Sequence, residues 1–156
     1  MSDDKKLAII ATKGTLDWAY PPFILASTAA ALGYESQIFF TFYGLQLLKK
    51  KPDLKVTSLG NPGMPMPVPM PVLAQALPGM QGMMTAMMKQ KMKSKGVASI
   101  EDLRSLCLEA EVKMVACQMT VDLFDMSRED FIDGVSYGGA ATFFEFAGES
   151  DICLFI

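Results

Sequence analysis

Histidine is absent from the 156 residues. Its absence excludes Ser-His-Asp and Cys-His catalysis, His-ligated zinc and imidazole acid–base chemistry. Cysteine is scarce: only Cys107, Cys117 and Cys153 occur, and no Cys-x-x-Cys. An odd count without close pairs fits neither a disulfide scaffold nor a zinc ribbon. Charge is also low, at 20% of residues and a net −3, so no global basic field invites nucleic acid. Hydrophobic residues make up 51%, too many for a disordered chain. The N-terminal segment Met1-Ser2-Asp3-Asp4-Lys5-Lys6 carries acids and leads straight into a short apolar run. That is not the pattern of a signal peptide, and the expected compartment is the reducing cytoplasm, where thiols stay unpaired.

The length suits one domain over residues 1–156, large enough to bury its own core. From Val56 to Met88 no charged residue occurs, long enough to cross a bilayer. Pro62, Pro65, Pro67, Pro69, Pro71 and Pro78 interrupt it, and repeated prolines remove the donors a spanning helix needs. We read a Met/Pro-rich loop followed by a Met-rich helix, an insertion over about 61–95.

Leu7–Thr12 is a continuous apolar run closed by Lys13-Gly14, the mark of a buried parallel strand. Pro21-Pro22 suits an early helical turn, and a helix runs from Phe23 to Leu32. Ser36–Phe42 is a second strand, Leu45–Lys50 a short helix, and Asp53–Leu59 a third strand. Gly79–Lys95 is a helix, Ser99-x-x-Asp102 caps the next, and Val112–Ala116 is a strand. Short helices begin near Met119, Ser127 and Gly139, and Ile152–Ile156 closes the chain as a strand. Alternating strands and helices predict an α/β fold, three layers with a mostly parallel five-stranded sheet. Ligands in such sheets bind beyond the carboxyl ends of the strands. That places Lys13-Gly14-Thr15, Gly60-Asn61 and Cys117-Gln118 in view, with Gly14, Asn61 and Gln118 as candidate binding residues.

Cys117 ends a strand just before a short helix. The amides at the helix start favour thiolate, while Asp122 is a charge that would oppose it. The competing reading is a small core residue. At this junction solvent and partners are expected to reach the thiol. Cys107 falls on the apolar stripe Ile100, Leu103, Cys107, Ala110, and Cys153 lies inside an apolar strand; both are expected to be packed thiols. A helix layer about 10 Å from the sheet separates the Cα atoms of Cys107 and Cys117 beyond the roughly 7 Å limit of a disulfide.

Nine of the thirteen methionines lie between Met64 and Met92. Met80, Met83, Met84, Met87 and Met88 share one helix face, with Lys89, Lys93 and Lys95 extending the polar side. Core or oligomer packing is the plain reading. An adaptable partner groove is a second, and Cu(I) held by the thioethers of Met64 and Met66 a third. The Lys-ended helix also suits peripheral contact with a membrane surface, without a span. We expect Met80, Met84 and Met87 to be covered by another subunit or by the preceding loop.

Six segments taken in order carry a resemblance: Lys13-Gly14-Thr15-Leu16-Asp17, Phe39–Leu45, Asn61–Pro67, Leu77-Pro78-Gly79-Met80, Ala116-Cys117-Gln118-Met119-Thr120 and Phe131–Val135. Together they resemble the DsrE/DsrF-like family, in particular its Met-rich branch from sulfur-metabolising prokaryotes. The resemblance covers nearly the whole chain. It implies a DsrEFH-like α/β/α fold, homo-oligomers and sulfur transfer through a cysteine persulfide; no cofactor or metal is expected. The family's cysteine motif maps onto Cys117, and a second cysteine of some members maps onto Cys107. Sulfur donor and acceptor proteins, TusA-like and rhodanese-like, are the partners it implies. Two other readings stand beside the sulfur carrier: a non-catalytic binding module using its Met face, and a thiol peroxidase forming sulfenate at Cys117.

Overall fold

The computed structural model describes residues 4–57, 73 and 76–156. Five strands form one parallel sheet: β1 (Lys6–Ala11), β2 (Glu35–Phe40), β3 (Lys113–Cys117), β4 (Val135–Gly138) and β5 (Ile152–Phe155). Their spatial order is β4-β3-β2-β1-β5, with every pairing parallel. Helices are α1 (Leu16–Ala31), α2 (Met80–Ser94), α3 (Ile100–Glu109), α4 (Gln118–Leu123) and α5 (Ala140–Ala147). Alternate residues of a strand face opposite sides, and β1 shows this directly. Leu7, Ile9 and Ala11 join the main core with Phe23, Phe40 and Cys107, whereas Ala8 and Ile10 belong to a second core with Phe39, Val115, Cys117, Phe143 and Phe146. Helices α1 and α3 supply the first core and α5 the second, giving three layers.

The predicted strand over 53–59 is not one: residues 53–57 form no strand. Its alternation is genuine, since Leu54 and Val56 are buried, but its backbone bonds go to helices. Lys55 O accepts from Leu16 N, Val56 N donates to Thr85 Oγ1, and Thr57 N donates to Asp17 Oδ1. The fifth strand is instead β4, a short edge element of Val-Ser-Tyr-Gly with little apolar signal.

Helix α1 starts well before the expected turn, so Pro21 and Pro22 lie inside it. Burial of Leu16 and Ala19 and the anchoring of Asp17 by Thr57 extend the helix back over the carbonyls that the prolines leave without donors. The short helix expected at Leu45–Lys50 is a 3-10 helix at Phe42–Leu48. Buried Arg104 holds its end, donating from Nη1 to Leu47 O at 2.8 Å and Lys49 O at 2.7 Å. A cation is favoured at a helix carboxyl end. Burial lowers the pKa of this guanidinium, and Glu101 offsets part of that. The predicted helix at Ser127 is a single 3-10 turn, Arg128–Asp130, opened by a capping box between Ser127 and Asp130. The Ser99 cap forms as read, accepting from Asp102 N at 3.1 Å.

Candidate functional site

The thiol of Cys117 stands where β3 ends and α4 begins. Cys117 is the N-cap of α4 in an extended conformation, and its side chain makes no capping hydrogen bond. Phe40 pairs with Ala116, so Thr41 follows at the level of Cys117 on the neighbouring strand. Thr120, in the first turn of α4, is wholly buried. Its Oγ1 lies 3.3 Å from Thr41 Oγ1 and accepts from Phe42 N at 3.2 Å.

Burial pushes the Cys117 thiol up, but polar groups close to the sulfur, none of them in a capping hydrogen bond, outweigh this. The Thr120 hydroxyl and amide, the Thr41 hydroxyl and the Met119 amide all favour thiolate, and the net pKa is below the ordinary thiol value. Asp122, raised from sequence as an opposing charge, accepts instead from Gln118 Nε2 at 2.8 Å. Gln118 in turn accepts from Arg128 Nη2, and Arg128 lies 4.2 Å from the Tyr137 ring. Gln118 therefore belongs to a surface polar chain beside the thiol.

The expectation of an open thiol is corrected: Cys117 is only 5% exposed. Its side chain faces the α5 layer, among Phe39, Val115 and Phe143. The surface around α4 and the 3-10 helix also carries apolar side chains. Phe42, Tyr43 and Phe124 form a cluster with the Tyr43 and Phe124 rings stacked at 5.9 Å. Met119 and Leu123 are exposed on α4.

Cys107 lies in the other core with no exposed surface, and its Sγ donates to Phe23 O at 3.3 Å. Burial raises its pKa to about 11. Cys153 corrects the sequence reading in the opposite sense, since it is exposed. It pairs with Ala8 on edge strand β5, where Phe155 is also exposed. An apolar sequence indicates a buried strand only when both of its faces are covered. All three cysteines are unpaired.

Gly14 packs against the 3-10 helix, where an added Cβ would collide with the Tyr43 carbonyl. It lines an open cleft of about 410 Å³ with Thr15, Trp18, Tyr43 and Thr57. Lys13 covers one wall with its ammonium 3.4 Å from the Trp18 ring centre. Asn61, Met64 and Met66 lie outside the described residues, as does most of the Met/Pro loop. Along α2, Met84 is buried within the subunit, while Met83 and Met87 are half exposed. The prediction that Met87 is covered thus finds no cover in the chain's own described residues. Among those residues, no group of three or more Asp, Glu or Cys could hold a metal ion, and no helix is long and apolar enough to cross a membrane.

Sequence reasoning missed Thr41 and Thr120. One signal was present: Cys117-x-x-Thr120 has the spacing that sets an N-cap beside the third helical residue. Thr41 needed the strand register.

The fold and site define a class: parallel three-layer α/β proteins with a thiol at the carboxyl edge of the sheet. Within it, the chain belongs to the DsrE/DsrF/DrsH-like family, whose profile matches residues 3–155. It is 82% identical over 158 aligned positions to a protein of Allochromatium vinosum named sulfur carrier protein DsrE2, covering 99% of each chain. It is 32% identical to the uncharacterized protein YrkE of Bacillus subtilis, covering 97% of each. The crystal structure of the ychN protein from E. coli shares the fold with a TM-score of 0.57 at 12% identity. That match covers 97% of this chain and 99% of the other.

Proposed function

We propose that this protein is a sulfur carrier in which Cys117 holds sulfane sulfur as a persulfide. Cys117 carries the reading: an unpaired thiol, held below its ordinary pKa at the carboxyl edge of the sheet. The 82% identical relative named as a sulfur carrier supports it.

In loading, the Cys117 thiolate attacks the outer sulfur of a donor persulfide. A new S–S bond forms, the donor's S–S bond breaks, and the donor thiolate leaves with the electron pair. In unloading, an acceptor thiolate attacks the outer sulfur on Cys117, and Cys117 leaves as thiolate. No oxidant or reductant is consumed. A low thiol pKa helps both steps by supplying the nucleophile and improving the leaving group. The near-burial of Cys117 also acquires a use. A persulfide extends the side chain by one S–S bond, about 2 Å, so the transferable sulfur lies further from the backbone than the thiol does.

Donors and acceptors are TusA-like or rhodanese-like proteins. The exposed rings of Phe42, Tyr43 and Phe124, with Met119 and Leu123, give them an apolar landing around α4 and the 3-10 helix. The reducing cytoplasm keeps the thiols available. The half-exposed Met83 and Met87 favour a homo-oligomer joined through the α2 face, as such an apolar stripe is seldom left in water. The test is transfer: protein loaded with labelled polysulfide, freed of excess and mixed with a reduced TusA-like carrier should pass the label to the carrier's thiol. Label that stays on this chain under all such mixtures rules out the carrier role.

A further inference from the structure

We propose that Thr41 and Thr120 form a hydroxyl pair that positions the sulfur of Cys117. Three observations place the pair. The register Phe40↔Ala116 sets Thr41 at the level of Cys117 across β2 and β3. Thr120 stands in the first turn of α4, three residues on from Cys117, and is wholly buried. The two hydroxyl oxygens are 3.3 Å apart, and Phe42 N donates to Thr120 Oγ1 at 3.2 Å.

A wholly buried hydroxyl must place its proton on an acceptor. With Phe42 N–H on the oxygen, the Thr120 proton is left to Thr41 or to the sulfur. The Thr41 hydroxyl can then donate to Thr120 or to the sulfur in turn, so a thiolate draws both protons towards itself. The chain keeps an unfavourable backbone geometry here. Phe42 has φ +49°, a region that residues with a side chain seldom occupy. In that conformation its amide meets Thr120 and fixes the hydroxyl oxygen.

Both hydroxyls act through Cys117, so they are positioning residues rather than catalytic ones. They favour the thiolate as nucleophile in loading and as leaving group in unloading. The second half of this proposal rests on the sulfur-carrier reading; the first half, the state of the thiol, does not.

The experiment compares Thr120→Val, Thr120→Ser and Thr41→Val with the parent, all in a Cys153→Ser background that removes the exposed thiol. Iodoacetamide alkylation of Cys117 is followed against pH, together with thiolate absorbance, and circular dichroism checks the fold. Thr120→Val should move the alkylation profile to higher pH. A displacement of about one unit slows reaction at neutral pH roughly tenfold, while rates at pH 10 converge within about threefold. Thr120→Ser keeps the hydroxyl and should restore the parent profile. Should Thr120→Val misfold because the Phe42 amide loses its acceptor, Thr41→Val leaves that bond in place and should still shift the profile. A folded valine variant with the parent's profile, or a serine variant displaced as far as valine, overturns the proposal. A parent that never loads sulfur, beside valine variants with shifted profiles, would defeat the carrier reading and leave the hydroxyl pair standing.

Discussion

Cys107 and Cys117 lie on opposite faces of one sheet, in separate apolar cores. Cys107 packs with Phe23 beneath α1, and Cys117 with Phe39 and Phe143 beneath α5. The same side-chain chemistry is thereby driven in two directions. Burial leaves one thiol neutral to about pH 11, while hydroxyls and amides favour the charged form of the other.

That split predicts a pH-dependent stability belonging to Cys107. Its folded pKa is raised, so the folded chain holds a proton that the unfolded chain releases near pH 8.5. The associated stability is complete below that pH and is lost as pH rises through about 11. The loss totals at most roughly 3 kcal/mol before solvent screening reduces it. Urea unfolding between pH 8 and pH 11 should show the decline in the parent, and Cys107→Ser should flatten it. An equal decline in both proteins would place its origin elsewhere.

Recessed Cys117 predicts alkylation that depends on reagent size. Cys153 is exposed and should react readily with both iodoacetamide and a bulky dye maleimide. Cys117 should react well with iodoacetamide and at least about tenfold more slowly, relative to Cys153, with the maleimide. Peptide mapping reads the two sites separately. Equal discrimination at both sites would show that Cys117 is open in solution.

Arg104 is a structural prediction. It is buried and ties two carbonyls at the end of the 3-10 helix. Arg104→Met keeps the apolar stem and removes both bonds, stranding the Leu47 and Lys49 carbonyls. The expected cost is about 2–4 kcal/mol. A melting temperature within about 2 °C of the parent would show that water satisfies those carbonyls.

The α2 face predicts assembly. Met84 is already buried inside the subunit, so altering it would disturb the subunit's own core. Met83→Glu with Met87→Glu changes only half-exposed positions. In the proposed homo-oligomer the pair should dissociate subunits in sedimentation while each keeps its melting transition. Unchanged sedimentation would put the interface elsewhere.

Much of this was legible in the sequence, for physical reasons. β1 and β3 read correctly because central parallel strands, buried on both faces, carry continuous apolar runs, and β2 because Ile38–Phe40 is such a run. The Ser99 and Ser127 caps were legible because a cap is local chemistry. What failed depended on distant partners. Residues 53–57 alternate like a strand, yet Asp17, Thr85 and Leu16 take their backbone bonds. Val135–Gly138 carries almost no apolar signal, yet it gains its ladder beside β3. Cys153 sits in an apolar strand, but an edge strand is not covered as a central one is. At the site, Cys117 was visible from its place between strand and helix. Thr41 required knowing which strand lies beside β3.

The most direct measurement is sulfur mapping by mass spectrometry. The protein is incubated with polysulfide or thiosulfate, alkylated and digested, alongside Cys117→Ser, Cys107→Ser and Cys153→Ser. One added sulfur should appear on the Cys117 peptide of the parent. It should vanish in Cys117→Ser, remain mostly in Cys107→Ser and almost wholly in Cys153→Ser. Sulfur on Cys107 at parental levels in the Cys117→Ser protein would contradict the assignment.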